Sequence, residues 1–396
     1  MSSDRNSSSS SGHHDKDEEA VPDISSPDVV AKYKESARIV NDALQFVTKQ
    51  CIPGASVYEI CLKGDEYILN ATRQLYKKSQ IKKGIGFPVC VSINNVVGHL
   101  SPLKKNDITL AAGDLVKIEF GAHINGFISL VGHTIIVKEN EDEIITGRRA
   151  DVILATHYCL EAAIRMCKVG IKTQEMASTL EKIASAFECS LIENTLMYSL
   201  SQHRIEGEKS ILLNGTKDAK KDHTQPEIEE FDVYALDVLM TTGKGKVRPT
   251  EFDTTVYKFE DTHYSLKQKR SRHFFSYASQ AFGLLPFTLR HFEKDAQNVQ
   301  QPIQSKAKGD SKQVEMPDFV SAKFGLKECR EHMLASPFDV TQAENGEFVA
   351  QFKSTVLVFE KGPERITTYL PYLDLSKVKS EHSIKDETIL MTRMIN

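Results

Sequence analysis

The sequence lacks the features that mark membrane and secreted proteins. None of its 396 residues lie in an apolar run of about 20, the length that a membrane-spanning helix needs. The N-terminus has no apolar segment behind a basic start, so it does not resemble a secretory signal. With 40% hydrophobic and 26% charged residues, the composition also excludes a collagen and a wholly disordered chain. These absences predict a globular protein without a membrane partner.

Cysteine is scarce and lacks the spacing of metal or redox motifs. The seven cysteines are odd in number, widely separated and free of any Cys-x-x-Cys pair. This pattern is typical of reduced, mostly structural thiols. We therefore expect a protein of the cytoplasm or nucleus.

A strong charge of one sign is also missing from the body of the chain. The net charge is −4, but residues 1–28 contain seven acids and two basic residues. The body is thus close to neutral, and any nucleic-acid contact must depend on a local patch. Residues 1–25 are rich in Ser and acids, and we predict that they form a disordered tail.

The helical and strand patterns occur twice in the same order. Ser26, Pro27 and Asp28 supply the start of a first helix. The remaining helical patterns lie at about 56–78, 147–167 and 173–187, and the strand-like runs at 87–93, 115–120, 126–137, 232–240 and 348–359. This order predicts an α+β fold duplicated over residues 27–138 and 145–360, with helices covering one antiparallel sheet.

Further segments lie outside this repeat. An insert at about 257–335 contains a basic and aromatic run, a helical pattern reaching residue 292 and a polar stretch at 295–317. We predict that this last stretch is a flexible surface loop. Residues 374–396 are expected to form a C-terminal tail.

Several motifs, taken together and in order, resemble those of type II methionine aminopeptidases. They are Gly86-Phe87-Pro88, Ser92-Ile93-Asn94-Asn95, Gly98-His99, Lys117-Ile118-Glu119-Phe120-Gly121, Val233-Tyr234-Ala235-Leu236-Asp237 and Ala350-Gln351-Phe352. The resemblance implies the duplicated pita-bread fold over residues 26–373. Other segments resemble the proliferation-associated, receptor-kinase-binding branch of that superfamily, which is implied to be non-catalytic. They are Gly207-Glu208-Lys209, Lys220-Lys221-Asp222-His223, Pro286-Phe287-Thr288-Leu289-Arg290 and 346–352.

The resemblance also locates a degenerate metal site. A peptidase of this family holds two divalent ions about 3.5–4 Å apart with two Asp, one His and two Glu. The matching positions here are Glu119, Leu130, Tyr198, Asp237 and Lys353. Leucine has no donor atom, tyrosine must ionise from a pKa near 10, and lysine offers only an ammonium. The sequence therefore predicts no metal, no cofactor and no catalysis.

We expect the Lys353 ammonium to lie near the former metal position and to pair with Glu119 and Asp237. His99 matches a family histidine that contacts substrate, but without a metal it cannot activate water. A general acid/base pair of Glu119 and Asp237 is the alternative to a structural charge cluster. His123 and His133 are either a second metal centre or structural strand histidines.

The strongest basic run lies inside the insert. It consists of Lys267, Lys269, Arg270, Arg272 and His273, bordered by Tyr264, Phe274 and Phe275. Basic charge interleaved with aromatic rings suits a phosphate backbone and unstacked bases. The same run fits a nuclear-import signal or a solvated edge.

The resemblance implies a pseudoenzyme that binds the large ribosomal subunit, pre-ribosomal particles and rRNA or other structured RNA. It would regulate ribosome biogenesis, translation and growth, in the cytoplasm and nucleus, including the nucleolus. Two rival classes remain open. One is an adaptor for proteins of growth signalling and transcription, and the other is a residual metallo-aminopeptidase.

Overall fold

A large antiparallel sheet joins the two halves of the chain. The computed structural model describes residues 22–140, 142–299, 315–367 and 374–385. The first half contains helices α1 (Pro27–Gln50) and α2 (Val57–Gln74), followed by strands β1 (Lys83–Ile93), β2 (Leu115–Ile124) and β3 (Phe127–Ile136). Pro27 and Asp28 occupy the first turn of α1 as predicted. Ser56 caps α2 by accepting a hydrogen bond from the Glu59 backbone N–H.

A tight turn sets the register of the β2–β3 hairpin. Asn125 and Gly126 join the strands with φ angles of 54° and 82°. Both angles are positive, as in the type I′ turns whose twist matches that of paired strands. The hairpin brings Glu119 opposite Gly132 and Gly121 opposite Leu130.

The second half repeats this arrangement with more strands. Its elements are α3 (Gly147–Met166), α4 (Thr173–Ala186), β4 (Ser190–Leu191), β5 (Thr195–Ser199), β6 (Ser210–Leu213), α5 (Lys217–Asp222), β7 (Val233–Thr241), β8 (Arg248–Pro249), β12 (Thr341–Gln342), β13 (Val349–Phe359) and β14 (Gly362–Arg365). The central strands run in the order β1-β2-β3-β13-β7-β5-β6. The two halves therefore meet where β3 pairs with β13, and helices α1 and α3 each pack on their own half of the sheet.

The insert interrupts the second half between two paired strands. Its elements are β9 (Val256–Phe259), α6 (Lys269–Ala281), β10 (Phe287–Thr288), α7 (Phe319–Glu331) and β11 (Ala335–Pro337). Strand β9 pairs with both β10 and β11. The predicted helix reaching residue 292 is wrong, because the helix ends at Ala281. Gly283, with φ 62°, turns the chain there, and Pro286 cannot donate a backbone hydrogen bond.

A buried ionic cluster fastens the insert to the first half. Arg290, in a 3₁₀ turn (Leu289–Phe292), forms an ion pair with Asp65 of α2, and neither side chain is exposed. His291 Nε2 lies 3.1 Å from Asp65 Oδ2. The Val89 N–H donates to Asp65 Oδ1 at 2.9 Å. The Asp65 carboxylate of α2 is therefore bonded both to the insert and to β1.

The structure moves several predicted boundaries. Ile24 is 2% exposed, so the chain is packed before the predicted end of the tail at residue 25. Residues 1–21 lie outside the described residues. Val378 is buried and bridges to Ile145, so the predicted C-terminal tail contacts the body at this residue. Residues 386–396 again lie outside.

The predicted surface loop at 295–317 is wrong at both ends. Ala296 and Val299 are buried against the first half, and Pro317 is buried as well. The middle of this stretch, residues 300–314, lies outside the described residues. In the part of the chain that the structure describes, no helix is both long and apolar enough to cross a membrane.

Candidate functional site

Four residues form one row across the centre of the sheet. Glu119 on β2 is opposite Gly132 on β3, Gly132 is opposite Lys353 on β13, and Lys353 is opposite Asp237 on β7. Side chains of directly opposed residues point to the same face of a sheet. The duplicated fold therefore places one acidic residue from each half on either side of Lys353.

The Lys353 ammonium lies between the two carboxylates. It forms an ion pair with Glu119 and lies 2.7 Å from Asp237 Oδ2. The ammonium also lies 6.0 Å from the centre of the Phe87 ring, at the outer limit of a cation–π contact. The predicted pairing of Lys353 with both acids is confirmed, and the side chain does not point to solvent.

Two neighbours of this cluster were not assigned a role from the sequence. The Gln351 side-chain amide donates to Asp237 Oδ1 and Oδ2 at 2.9 and 3.2 Å. Gly132 leaves the space through which the lysine passes, because an added Cβ there would lie 2.8 Å from the Lys353 Cβ. The motif containing Gln351 was visible in the sequence, but its partner depends on the strand register.

Burial and pairing set the charge states of the cluster. Burial alone would lower the pKa of Lys353, but Asp237 and Glu119 outweigh it and hold the pKa above its usual value. Burial opposes ionisation of Glu119, yet Lys353 and His99 keep its pKa low. Burial raises the pKa of Asp237, and Lys353 offsets this only in part because Glu119 is a second nearby carboxylate.

His99 lies at the edge of the cluster. Its Nε2 is 3.7 Å from Glu119 Oε2, and its Nδ1 is 3.4 Å from the Asp339 carbonyl oxygen. The ring packs against Phe87 and Phe338, with centroid distances of 5.9 and 5.3 Å. The imidazole is thus held by contacts to protein groups on several sides.

Leu130 and Tyr198 do not join the charged row. Leu130 is 3% exposed and packs in an apolar cluster, and it lies opposite Gly121 rather than in the Glu119 row. Tyr198 lies opposite Ala235, two residues from Asp237. Burial, and then the charge of Glu206, raise the pKa of Tyr198 above its usual value. A phenolate ligand is therefore disfavoured at this position.

His123 and His133 face opposite sides of the sheet. His123 follows Glu119 by four residues along β2 and shares its face, whereas His133 is adjacent to Gly132 on β3 and faces the other way. The His133 ring packs on Phe352 at 5.3 Å. Because the sheet separates them, the two histidines cannot share a metal ion. In residues 22–140, 142–299, 315–367 and 374–385, no three His, Cys, Asp or Glu side chains are grouped to hold one.

The basic run lies at the start of α6. Lys267, Lys269, Arg270, Arg272 and His273 are all exposed. Arg272 donates to the carbonyl oxygens of Leu266 and Lys267 at 3.1 and 2.7 Å, so its guanidinium is anchored to the preceding loop.

The bordering aromatic rings differ from the prediction. Phe274 is completely buried in the core of the insert, and Phe275 is half-buried. Tyr264 is stacked on His332 with ring centroids 3.8 Å apart. We expected these rings to lie between the basic residues as stacking platforms. This is wrong for Phe274, because its side chain packs from α6 against β9.

Similarity to known proteins assigns this chain to a family. The model of metallopeptidase family M24 matches residues 31–251. The chain belongs to metallopeptidase family M24. A potato (Solanum tuberosum) relative of this M24 protein, ErbB-3 binding protein 1, is 38% identical over 90% of this chain and 85% of its own length. A second relative, the curved DNA-binding protein of Schizosaccharomyces pombe, is 33% identical over 93% of this chain and 90% of its own length.

A solved structure matches the M24 protein along almost its whole length. The structure of a thermophilic Arx1 has a TM-score of 0.82 and 28% identity, covering 94% of this chain and 99% of that one. The predicted family and its duplicated, methionine-aminopeptidase-like pita-bread fold are thereby confirmed. Both relatives have names that refer to binding and not to peptidase activity.

Proposed function

We propose that this M24 protein is a non-catalytic, aminopeptidase-like protein that binds the large ribosomal subunit, its precursors and structured RNA. In this role it would regulate ribosome biogenesis, translation and growth in the cytoplasm and nucleus. The proposal rests on the central charge cluster for the absence of peptidase activity and on the start of α6 for the RNA contact.

The central cluster does not fit two divalent metal ions. The Lys353 ammonium already neutralises Glu119 and Asp237 in part, and any cation placed between those acids would be repelled by it. Leu130 and Tyr198 supply no anionic oxygen at the matching positions. We infer that the lysine replaces the metals as the counter-charge that lets two acids remain buried.

The proposed RNA contact rests on the basic residues at the start of α6. Lys269, Arg270, Arg272 and His273 lie in its first turns, and the first turn contains no acidic residue. Positive charge at a helix N-terminus costs about 0.3–1 kcal/mol per residue. Apart from Arg272, which anchors the preceding loop, the exposed basic side chains of this basic run are unfavourably placed for helix stability. The exposed cations of this run favour phosphate, although Glu328 of α7 accepts the Lys267 backbone N–H at 3.0 Å beside them.

The test is co-sedimentation with purified large ribosomal subunits across a salt series. The variant K267Q/K269Q/R270Q/R272Q removes four exposed charges, and K217Q/K221Q/K244Q/K246Q is the control, because it removes four exposed lysines elsewhere. We expect binding that falls steeply with salt, is lost in the α6 variant and persists in the control. Equal losses in both variants would assign binding to bulk charge and contradict the proposal.

A protein adaptor is the second candidate, and the name of the potato relative favours it. An adaptor without RNA contact predicts partner binding that resists ribonuclease and depends weakly on salt. The same sedimentation series separates the two, because an adaptor would leave the ribosomal subunits unbound at low salt. The basic run would then serve nuclear import or be solvated surface.

A residual metallo-aminopeptidase is the third candidate. It predicts a bound divalent ion and release of N-terminal methionine from peptides. We expect no release by the wild-type chain in the presence of Mn²⁺ or Co²⁺, since His99 alone cannot activate water. Measured release that is lost on Glu119→Gln would restore the enzyme hypothesis.

A further inference from the structure

A cavity of about 440 Å³ lies where the two halves of the fold and the insert meet. Its lining includes Lys82 before β1, His123 at the end of β2, His203 after β5 and Phe282 after α6. Sites for small molecules have volumes of about 300–1,000 Å³. Lys82 and Lys83 both belong to the lining of this cavity, and the Lys83 ammonium is bonded to the Leu75 carbonyl oxygen.

His123 lines this cavity, and one of its ring nitrogens is bonded to the backbone of the neighbouring turn. Its Nδ1 accepts a hydrogen bond from the Gly126 N–H at 3.2 Å. In a neutral imidazole the proton then resides on Nε2. His123 is 4% exposed and lines the cavity, so an acceptor that enters the cavity can receive this Nε2 proton.

Gly126 brings a second imidazole beside the first. His203 N donates to the Gly126 carbonyl oxygen at 2.8 Å, and the His203 ring lies flat against the glycine. An added Cβ at this glycine would lie 2.5 Å from the ring. The left-handed conformations of Gly126 and His203, with φ 82° and 65°, hold the two rings at one turn. The arrangement places two imidazoles on the cavity wall.

Among the described residues that line this cavity there is no acid. The Lys82 ammonium has one long contact, 3.5 Å to the Gln280 carbonyl oxygen at the end of α6. Burial, followed by the neighbouring His203 and Lys82, lowers the pKa of His123 to about 3, and burial with Lys82 lowers that of His203. Carboxylates contribute to neither shift. Both imidazoles are therefore neutral donors beside an ammonium, which together favour an anion.

The opposite wall is apolar. Phe282 and Leu285 are buried at 7% and 4% exposure, with Ile81 and Leu284 half-buried beside them. From these contacts we propose that the cavity binds a small organic phosphate, with its phosphate at Lys82, His123 and His203 and its apolar group against Phe282. Three donors from separate segments suit a tetrahedral phosphate better than a planar carboxylate, which offers two oxygens.

Calorimetric titration of the full chain tests this site with phenyl phosphate, inorganic phosphate and benzyl alcohol as probes. We expect phenyl phosphate to bind more tightly than inorganic phosphate, and benzyl alcohol not to bind. Lys82→Gln should weaken phenyl phosphate about tenfold, as expected for loss of a charged donor. Lys78→Gln is the matched control, because Lys78 is exposed and lies outside the lining.

The imidazole signals supply a readout that does not depend on affinity. In protein labelled with ¹⁵N-histidine, phenyl phosphate should shift the Nε2 signals of His123 and His203, assigned with His123→Gln and His203→Gln. A wild type that shows no saturable binding would overturn the proposal. So would equal binding of benzyl alcohol, equal losses in the Lys82 and Lys78 variants, or binding that leaves both imidazoles unchanged.

Discussion

Two buried ionic clusters in this protein have similar parts and different surroundings. Asp65, Arg290 and His291 are closed off completely, with 0–3% of their side chains exposed. In the central cluster Glu119 is 3% exposed, but Lys353 and Asp237 keep 10% and 14%. The first cluster pairs one acid with one cation, whereas the second has two acids around one cation. The central cluster therefore has an excess of negative charge and a partly exposed edge at Lys353 and Asp237.

The difference distinguishes a structural contact from the cluster that we propose to be a former metal site. A closed cluster with balanced charge joins the insert to the body and leaves no room for a ligand. The central, open cluster has two acids, one cation and a partly exposed edge, as our proposal of a lysine in place of metal ions requires. Burial alone does not distinguish them. The balance of charges and the remaining exposure do.

Removing the cation of the closed cluster should have the largest effect. Arg290→Ala leaves Asp65 charged and buried without its main partner, and we expect a loss of about 3–5 kcal/mol in the free energy of unfolding. Urea denaturation measures it. Lys327→Ala is the control, because its pair with Glu331 is exposed and 3.9 Å long; it should change stability by less than about 0.5 kcal/mol. Similar losses in both would remove the distinction between the clusters.

Removing the cation of the open cluster should cost less. We expect Lys353→Met to destabilise the fold by about 2 kcal/mol, below the usual range for a broken buried pair, because one of two adjacent acids can take up a proton. The double variant K353M/D237N should recover part of this loss, since a single acid remains. A Lys353→Met protein as unstable as Arg290→Ala would show that the two clusters act alike.

The smallest effect is a difference in proton uptake. Burial disfavours the Asp65 charge, but Arg290 and His291 outweigh it and lower its pKa, so its stabilisation holds above about pH 4 and is lost as the pH falls through the folded-state pKa. Asp237 has a raised pKa. It takes up its proton at higher pH than in the unfolded chain, which relieves repulsion instead of removing an attraction.

Carboxyl ¹³C shifts of labelled aspartate measure this order. Asp65→Asn and Asp237→Asn identify the two signals. We expect the Asp237 signal to titrate first on acidification and the Asp65 signal last. The reverse order would mean that charge balance does not control the two clusters.

Sequence patterns predicted the regular parts of this fold because they depend on local periodicity. Helix α3 was expected at 147–167 and is Gly147–Met166, and β13 was expected at 348–359 and is Val349–Phe359. The insert was predicted less well. Its aromatic residues look helical up to residue 292, but Phe287 and Phe292 belong to a strand and a 3₁₀ turn of the same core.

The candidate site divides in the same way. The Lys353 pairing was predictable, because the motifs placed two acids and a lysine at matching positions of a known fold. Gln351 was missed because its bond to Asp237 depends on the register between β13 and β7, in which Gln351 is opposite Leu239 and diagonal to Asp237. The contact of Asp65 with Arg290 joins residues that are 225 positions apart in the sequence. Neither residue has a local pattern that marks it as buried.

The way the insert leaves and re-enters the body has a consequence for protein engineering. Phe259 and Ala335 are direct partners in the β9–β11 ladder, so the chain departs and returns at points about 5 Å apart. A short turn is long enough to replace everything between them, so the geometry permits removal of the insert. The electrostatics oppose removal, because it would take Arg290 and His291 away from Asp65 and leave a buried, unpaired carboxylate. Excision therefore requires a neutral residue at position 65, and the same change would prepare the body to accept a different insert.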